Sequence, residues 1–199
     1  MIRAILFDIG GVLIENPPDK IYGGYAKLFH KNPEKIRKKL INVLVPCEIG
    51  AISSEEFWSR GAKKLGLKKE LFRKIWIRGI KSSKPHKLVW KLVRALKSKG
   101  YRIVILTNAI PADARIPMIK KIYSKFYPDV FKSFSLGCKK PSEKIYRLVL
   151  KKLILKPREA VFIDNVKENA DAATKAGMIG LHFTSYKRLV SDLKKLKVL

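Results

Sequence analysis

Short, unbroken runs of apolar residues alternate along this chain with longer stretches in which apolar positions recur every three or four residues. The runs fall at Ala4–Phe7, Ile103–Leu106, Val161–Ile163 and Ile179–Phe183. Continuous hydrophobicity over so few residues is the pattern of strands buried on both faces. The three- and four-residue spacing predicts helices over Ile21–Phe29, Pro33–Leu44, Ser54–Leu65, Lys69–Ile80, Lys87–Ser98, Ala112–Lys125, Ser142–Leu153, Lys167–Ala176 and Ser185–Leu196. In the fifth of these, Leu88, Val89, Leu92, Val93 and Leu96 share a face, and Gly100 is a stop signal. Ser53 or Ser54 is placed to cap the third, which Gly61 and Gly66 weaken or end.

From residue 100 onward strand and helix alternate, which predicts an α/β fold: a Rossmann-like, doubly wound parallel sheet with helices on both faces. Between the first strand and Lys87 the pattern is helical only. Asn16-Pro17-Pro18-Asp19 reads as a linker because two prolines cannot continue a strand or helix, and Ser82-Ser83-Lys84-Pro85 reads as its return. The expected division is a core of residues 1–15 and 85–199 and a helical-bundle insert of residues 16–84.

Chemistry collects where the apolar runs end. The first runs into Asp8-Ile9-Gly10-Gly11, a carboxylate ahead of a flexible turn whose glycines let backbone amides approach an anion. The second ends in Thr107-Asn108, small polar groups able to hydrogen-bond a phosphate or carboxylate oxygen, and the third in Asp164-Asn165, a carboxylate and an amide. Between them Lys140 stands just before Pro141, at a favoured first helical position. Each segment alone is ordinary turn chemistry.

In this order the four segments resemble the motifs of the haloacid dehalogenase superfamily, a group made up mostly of phosphatases with an aspartate nucleophile. Cys47–Trp58 is similar to the helical cap of the subfamily whose small α-helical domain follows the first strand, and Asn169–Met178 to the family's later helix and strand. The resemblance implies that Asp8 attacks phosphorus and forms an aspartyl-phosphate that water hydrolyses. It implies that Gly10, Gly11, Thr107, Asn108 and Lys140 hold the phosphate, with Thr107, Asn108 and Lys140 assisting catalysis. It implies Mg2+ on Asp8, the Gly10 carbonyl, Asn165 and Asp164, with Asn169 in support. A hard cation of this kind takes carboxylate and carbonyl oxygens.

Two positions depart from the family pattern. Most phosphatases of the superfamily carry an acid/base aspartate two residues after the nucleophile, where this chain has Gly10, and such help is worth ~10² to 10⁴ in rate. Asn165 stands where the metal-binding aspartate is usual. True dehalogenases carry a tyrosine at the Gly10 position, so dehalogenation is not expected. The expected function is a Mg2+-dependent phosphatase of a small phosphorylated metabolite, slowed by Gly10. The alternatives are a catalytically impaired phosphate-binding homologue and a polyanion- or nucleic-acid-binding protein.

The 199 residues carry 44 Lys and Arg against 16 Asp and Glu, a formal net charge of +28. Such a field gathers anions and favours salt-sensitive contact with nucleic acid. The basic residues are spread over many predicted helix faces, so nucleic-acid binding is not expected to be the specific role. No apolar run reaches the roughly 20 residues that a membrane span needs, and no secretory signal precedes the first strand; a cytoplasmic location is the expectation. Cys47 and Cys138 have no metal-ligand spacing and are expected as reduced thiols, Cys47 in packing and Cys138 at the border of the pocket. Tyr22, Tyr25, Phe57 and Trp58 lie where substrate is selected in such caps, although aromatic residues at helical spacing more often belong to a core.

Overall fold

The computed structural model describes residues 1–199. Five parallel strands, β1 (Ala4–Phe7), β2 (Arg102–Thr107), β3 (Val130–Lys132), β4 (Ala160–Asp164) and β5 (Ile179–His182), form one sheet in the order β3-β2-β1-β4-β5. The strand period of two separates its faces. Ile5, Phe7, Ile103, Ile105, Val161 and Ile163 join one core cluster, whereas Ala4, Leu6, Val104, Leu106, Ala160 and Phe162 join the other. Helices α5 (Lys87–Ser98), α6 (Pro117–Phe126) and α10 (Tyr186–Lys195) cover the first face through Val89, Leu92, Ile119, Ile122, Leu189 and Leu193. Helices α8 (Glu143–Leu153) and α9 (Lys167–Lys175) cover the second through Ile145, Tyr146, Val149, Ala172 and Ala173. A short helix, α7 (Ser133–Leu136), follows β3.

The strand β3 has no counterpart in the hydrophobic pattern. Its three residues are only half-buried at the sheet edge, and main-chain pairing with Ile105–Thr107 holds them there. The helix predicted over Ala112–Lys125 divides into a 3-10 turn, Pro111–Arg115, and α6, because Pro117 begins a new helix and offers no amide to the preceding turn.

Four helices lie between β1 and α5: α1 (Pro17–Phe29), α2 (Pro33–Glu48), α3 (Ser54–Leu65) and α4 (Lys69–Lys81). The reading of Asn16–Asp19 as a linker is corrected: Pro17 and Pro18 occupy the first turn of α1, where a missing amide hydrogen costs nothing. Ser53 caps α3 by accepting from the Glu56 amide at 3.1 Å, and Gly66, at φ +67°, ends it. Gly61 does not end α3. A Cβ there would lie 2.5 Å from the Phe72 ring, so the glycine admits that ring between α3 and α4. Phe57, Trp58, Phe72 and Trp76 pack around it with ring centroids 4.8–6.4 Å apart. Removing a buried ring such as Phe72 typically costs about 3–5 kcal/mol. Tyr25 stacks on Phe72 and donates to its carbonyl at 2.6 Å. Tyr25, Phe57 and Trp58 therefore belong to packing.

The chain enters and leaves this insert through adjoining segments. The Glu15 amide donates to the Lys84 carbonyl at 2.8 Å, and Ile14 bridges to Pro85. The His86 ring meets the Val12 carbonyl at 2.9 Å, and the Trp90 indole donates to the Leu13 carbonyl at 2.9 Å. No helix is long and apolar enough to cross a membrane.

Candidate active site

Parallel register brings the strand ends together. Phe7 is level with both Ile105 and Ile163, and the Asp8 amide donates to the Ile163 carbonyl at 3.0 Å. Asp8, Thr107 and Asp164 thus emerge at one edge, at the point where the connection reverses from β2 on one side of β1 to β4 on the other. Crevices at such points are where ligands bind in open α/β sheets. A cavity of about 600 Å³ opens there, lined by Asp8, Gly10, Thr107, Asn108, Lys140 and Asn165 among others.

Lys140 is not a solvated turn lysine. It is 2% exposed, and its Nζ lies 2.8 Å from Asp8 Oδ1, 2.6 Å from Asp164 Oδ2 and 3.1 Å from the Leu106 carbonyl. The expectation that Pro141 begins a helix is corrected: α8 starts at Glu143 with Ser142 as its cap residue, and Pro141 belongs to the approach. Burial alone would lower the lysine's pKa, but Asp8 and Asp164 outweigh it and hold the ammonium above the usual lysine range. For Asp8 burial wins: it pushes the carboxyl up to about 6, helped by Asp164 and opposed by Lys140.

The Asn108 side chain is engaged with the Lys140 main chain. Its Nδ2 donates to the Lys140 carbonyl and its Oδ1 accepts from the Lys140 amide, both at 3.0 Å. This reciprocal pair fixes the main chain from which the lysine projects. Asp164, wholly buried, is equally committed: Oδ1 accepts from the Val166 amide at 2.8 Å, and Oδ2 accepts from Lys140 and from Asn169 Nδ2 at 3.0 Å. Its oxygens face the protein's own donors. Gly11 has φ +81°, and a Cβ there would fall 2.3 Å from Asn165 Cγ, so only glycine lets the Asn165 amide lie against this turn.

A family model for haloacid dehalogenase-like hydrolases matches residues 2–177. The chain belongs to that family. The sesquiterpene phosphatase astK of Aspergillus oryzae is 26% identical to this hydrolase over 204 residues, covering 98% of this chain and 96% of its own. The D-ribitol-5-phosphate phosphatase of Bacteroides thetaiotaomicron is 24% identical, covering 89% of each. Among solved structures, a haloacid dehalogenase family enzyme of Bacteroides thetaiotaomicron, in complex with magnesium and inorganic phosphate, superposes with a TM-score of 0.74 at 21% identity, covering 95% of this chain and 99% of its own.

The far wall of the hydrolase's cavity comes partly from the helical insert. Tyr22, Arg37, Glu48 and Trp76 face Ile110, Asp113, Tyr123 and Lys139 of the sheet-bearing part. Glu48 pairs with Lys139 and Arg37 with Glu34. Ser54 Oγ accepts from the Ala112 amide at 2.9 Å. Asp113 was not among the residues expected at the site: its Oδ1 accepts from the Trp76 indole at 3.1 Å and its Oδ2 from the Ile110 amide at 3.2 Å. Burial pushes its carboxyl up to about 7 despite those two bonds. The expectation for Cys138 is corrected, because it packs in the second core cluster with Ile145 and Phe162 and does not line the cavity. Burial, with Asp113 and Glu48 nearby, pushes the Cys47 thiol up to about 12, which suits packing and not nucleophilic chemistry.

Proposed function

We propose that this hydrolase is a Mg2+-dependent phosphatase of a small phosphorylated metabolite, with Asp8 as nucleophile and the insert of residues 16–84 acting as a cap over the cavity. The observation that carries the reading is the buried Lys140 ammonium shared by Asp8 and Asp164 at the floor of the cavity. It keeps Asp8 ionised and oriented while adding positive charge where a phosphate would arrive. All three of its N–H bonds already have partners, so its service to the phosphate is proximity of charge more than a free hydrogen bond.

Oxygen donors suited to magnesium stand beside it. The Asp8 carboxylate, the Gly10 carbonyl and the Asn165 amide oxygen would hold the ion, whereas Asp164, with three of its roughly four acceptor positions taken, is read as the group that positions Lys140. Magnesium in this place would neutralise the oxygens of the transferring group. Since only one of the three donors is charged, weak binding is expected.

Asp8 attacks phosphorus in line, the ester oxygen departs with the electron pair of the P–O bond, and water later cleaves the aspartyl-phosphate to return Asp8 and release phosphate. Thr107 and the Gly10 main-chain amide are the neutral donors for the equatorial oxygens, since the Gly11 amide already donates to the Ile14 carbonyl at 2.8 Å. With Gly10 in the acid/base position, the departing oxygen must leave as a stable anion or take its proton from water or substrate. Acyl and aryl phosphates are therefore the favoured reporters. Purified protein is expected to hydrolyse acetyl phosphate and p-nitrophenyl phosphate with magnesium, and Asp8→Asn or chelator to abolish turnover. Turnover that survives Asp8→Asn would remove Asp8 from the mechanism. Turnover absent under all conditions would favour the second reading, a phosphate-binding homologue, for which the absence of an acid at Gly10 is the specific observation.

A further inference from the structure

The reaction above gives no part to Asp113, yet its carboxyl lies in the wall of the same cavity. It sits in the 3-10 turn directly after the strand end that carries Thr107, and the indole of Trp76 reaches across from the insert to hold it. Both of its hydrogen bonds come from neutral donors, and the charge that acts on it is that of another carboxylate, Glu48. A carboxylate offers about four acceptor positions, and two are taken. Two other carboxylates of the cavity lining have cations of their own: Glu48 pairs with Lys139 and Glu34 with Arg37. Asp113 thus keeps about two acceptor positions without a protein donor, at the wall of the space that a leaving group would fill. The phenol of Tyr123, another wall residue, feels the charge of both Asp113 and Asp8, so the nucleophile and this acceptor border the same part of the cavity.

We propose that Asp113 is the specificity-determining residue of this site and that it accepts hydrogen bonds from hydroxyl groups of a polyhydroxylated phosphate monoester, a sugar or polyol phosphate. The inference rests on the phosphatase reading for the position of the phosphate, and it adds the class of the leaving group. An ammonium would also satisfy a carboxylate, but the formal charge of +28 repels a cationic ligand on approach and attracts an anionic one. A purely hydrocarbon leaving group would bury Asp113 with nothing to offer it.

The test compares phosphates of equal carbon number. Affinities of erythritol 4-phosphate, butyl phosphate and 4-aminobutyl phosphate are measured by calorimetry with magnesium in an Asp8→Asn background, where no turnover intervenes. The hydroxylated ester is expected to bind roughly 10- to 100-fold tighter than butyl phosphate, the range of a hydrogen bond to a charged group. Adding Asp113→Asn, which keeps a carbonyl acceptor for one N–H but turns the other face into a donor, should shrink that ratio below about threefold. Trp76→Phe, which releases Asp113 from the indole, should reduce it in the same direction if Asp113→Asn fails to fold. Equal affinity for the hydroxylated and alkyl esters overturns the proposal, as does tighter binding of 4-aminobutyl phosphate. Wild-type turnover of p-nitrophenyl phosphate, which has no hydroxyl to offer, reports the phosphatase reading separately. Its absence together with an intact hydroxyl preference would remove the reaction and keep Asp113 as a recognition residue.

Discussion

Replacing Gly10 by aspartate would install the missing acid, and the structure sets a condition on its success. A Cβ built on Gly10 comes 2.9 Å from Pro17 Cδ, and the next neighbour, Asn16 Oδ1, is 3.7 Å away. The obstacle is a rigid ring in the first turn of α1, so Gly10→Asp alone must push the start of the insert outward. Pro17→Ala removes the ring carbons at a position where proline is dispensable, and the double variant should seat the new carboxyl without that displacement. General acid help is worth ~10² to 10⁴. Its value depends on the leaving group, since p-nitrophenolate departs unprotonated and an alkoxide does not. The comparison is made in kcat/KM, which covers steps only as far as expulsion of the leaving group. Gly10→Asp/Pro17→Ala is expected to raise kcat/KM for an alkyl phosphate by roughly 100-fold or more and for p-nitrophenyl phosphate by less than about tenfold. Gly10→Asp alone should gain less. An equal gain on both esters, or none on either in a variant that keeps the wild-type Tm, would refute the claim that a missing proton donor limits this site.

Lys140→Met should destabilise the fold by about 3–5 kcal/mol in urea titrations, because it leaves Asp8 and Asp164 buried without their cation, and Asp8→Asn in the same chain should restore part of the loss. Asn165→Asp should lower the magnesium concentration for half-maximal activity roughly tenfold by adding a second charge to the proposed donors. For Asp113 the carboxyl pKa rises from 3.8 to about 7 on folding. The folded state therefore binds the proton more tightly, and wild-type stability falls as pH rises from about 4 to 7. Asp113→Asn escapes that loss, so its Tm relative to wild type should climb between pH 5 and pH 8. At 1.36 kcal/mol per pKa unit the full shift is about 4 kcal/mol, and partial contact with the water of the cavity reduces the expected gain to about 2 kcal/mol. A Tm difference independent of pH, by differential scanning calorimetry, would contradict it.

The residues at the floor of the site were legible because a buried parallel strand must be apolar until it ends, and the first polar side chain after it is then conspicuous: Asp8, Thr107 and Asp164 are each found this way. What such side chains touch is set by tertiary contact. Asn108 reads as a phosphate donor and Asp164 as a metal ligand, but the two bonds of the first to the Lys140 main chain and the three donors around the second come from residues distant in sequence or from the turn that follows, and no pattern announces them. Pro17 and Pro18 were misread because a proline pair breaks a helix interior and suits a helix start equally well. Asp113 carried a faint signal, an acid in a Pro-Ala-Asp turn just beyond Thr107-Asn108, but its burial depends on Trp76, distant in sequence. The strand β3 left almost none, since its half-buried edge position imposes no hydrophobic pattern.

The paired linkers at Glu15 and Lys84 give the chain a modular joint. To the sheet, residues 16–84 are one long surface excursion whose two ends already touch, and closing a loop costs little more for each added length of chain. The register of β1 against β2 and β4 is fixed by strand pairing and does not depend on what is threaded between the ends. Exchange of the whole excursion at that joint would replace most of the cavity's outer wall and leave Asp8, Lys140 and Asp164 in place. New substrate preferences could then arise by splicing at a single junction, without rebuilding the reactive centre.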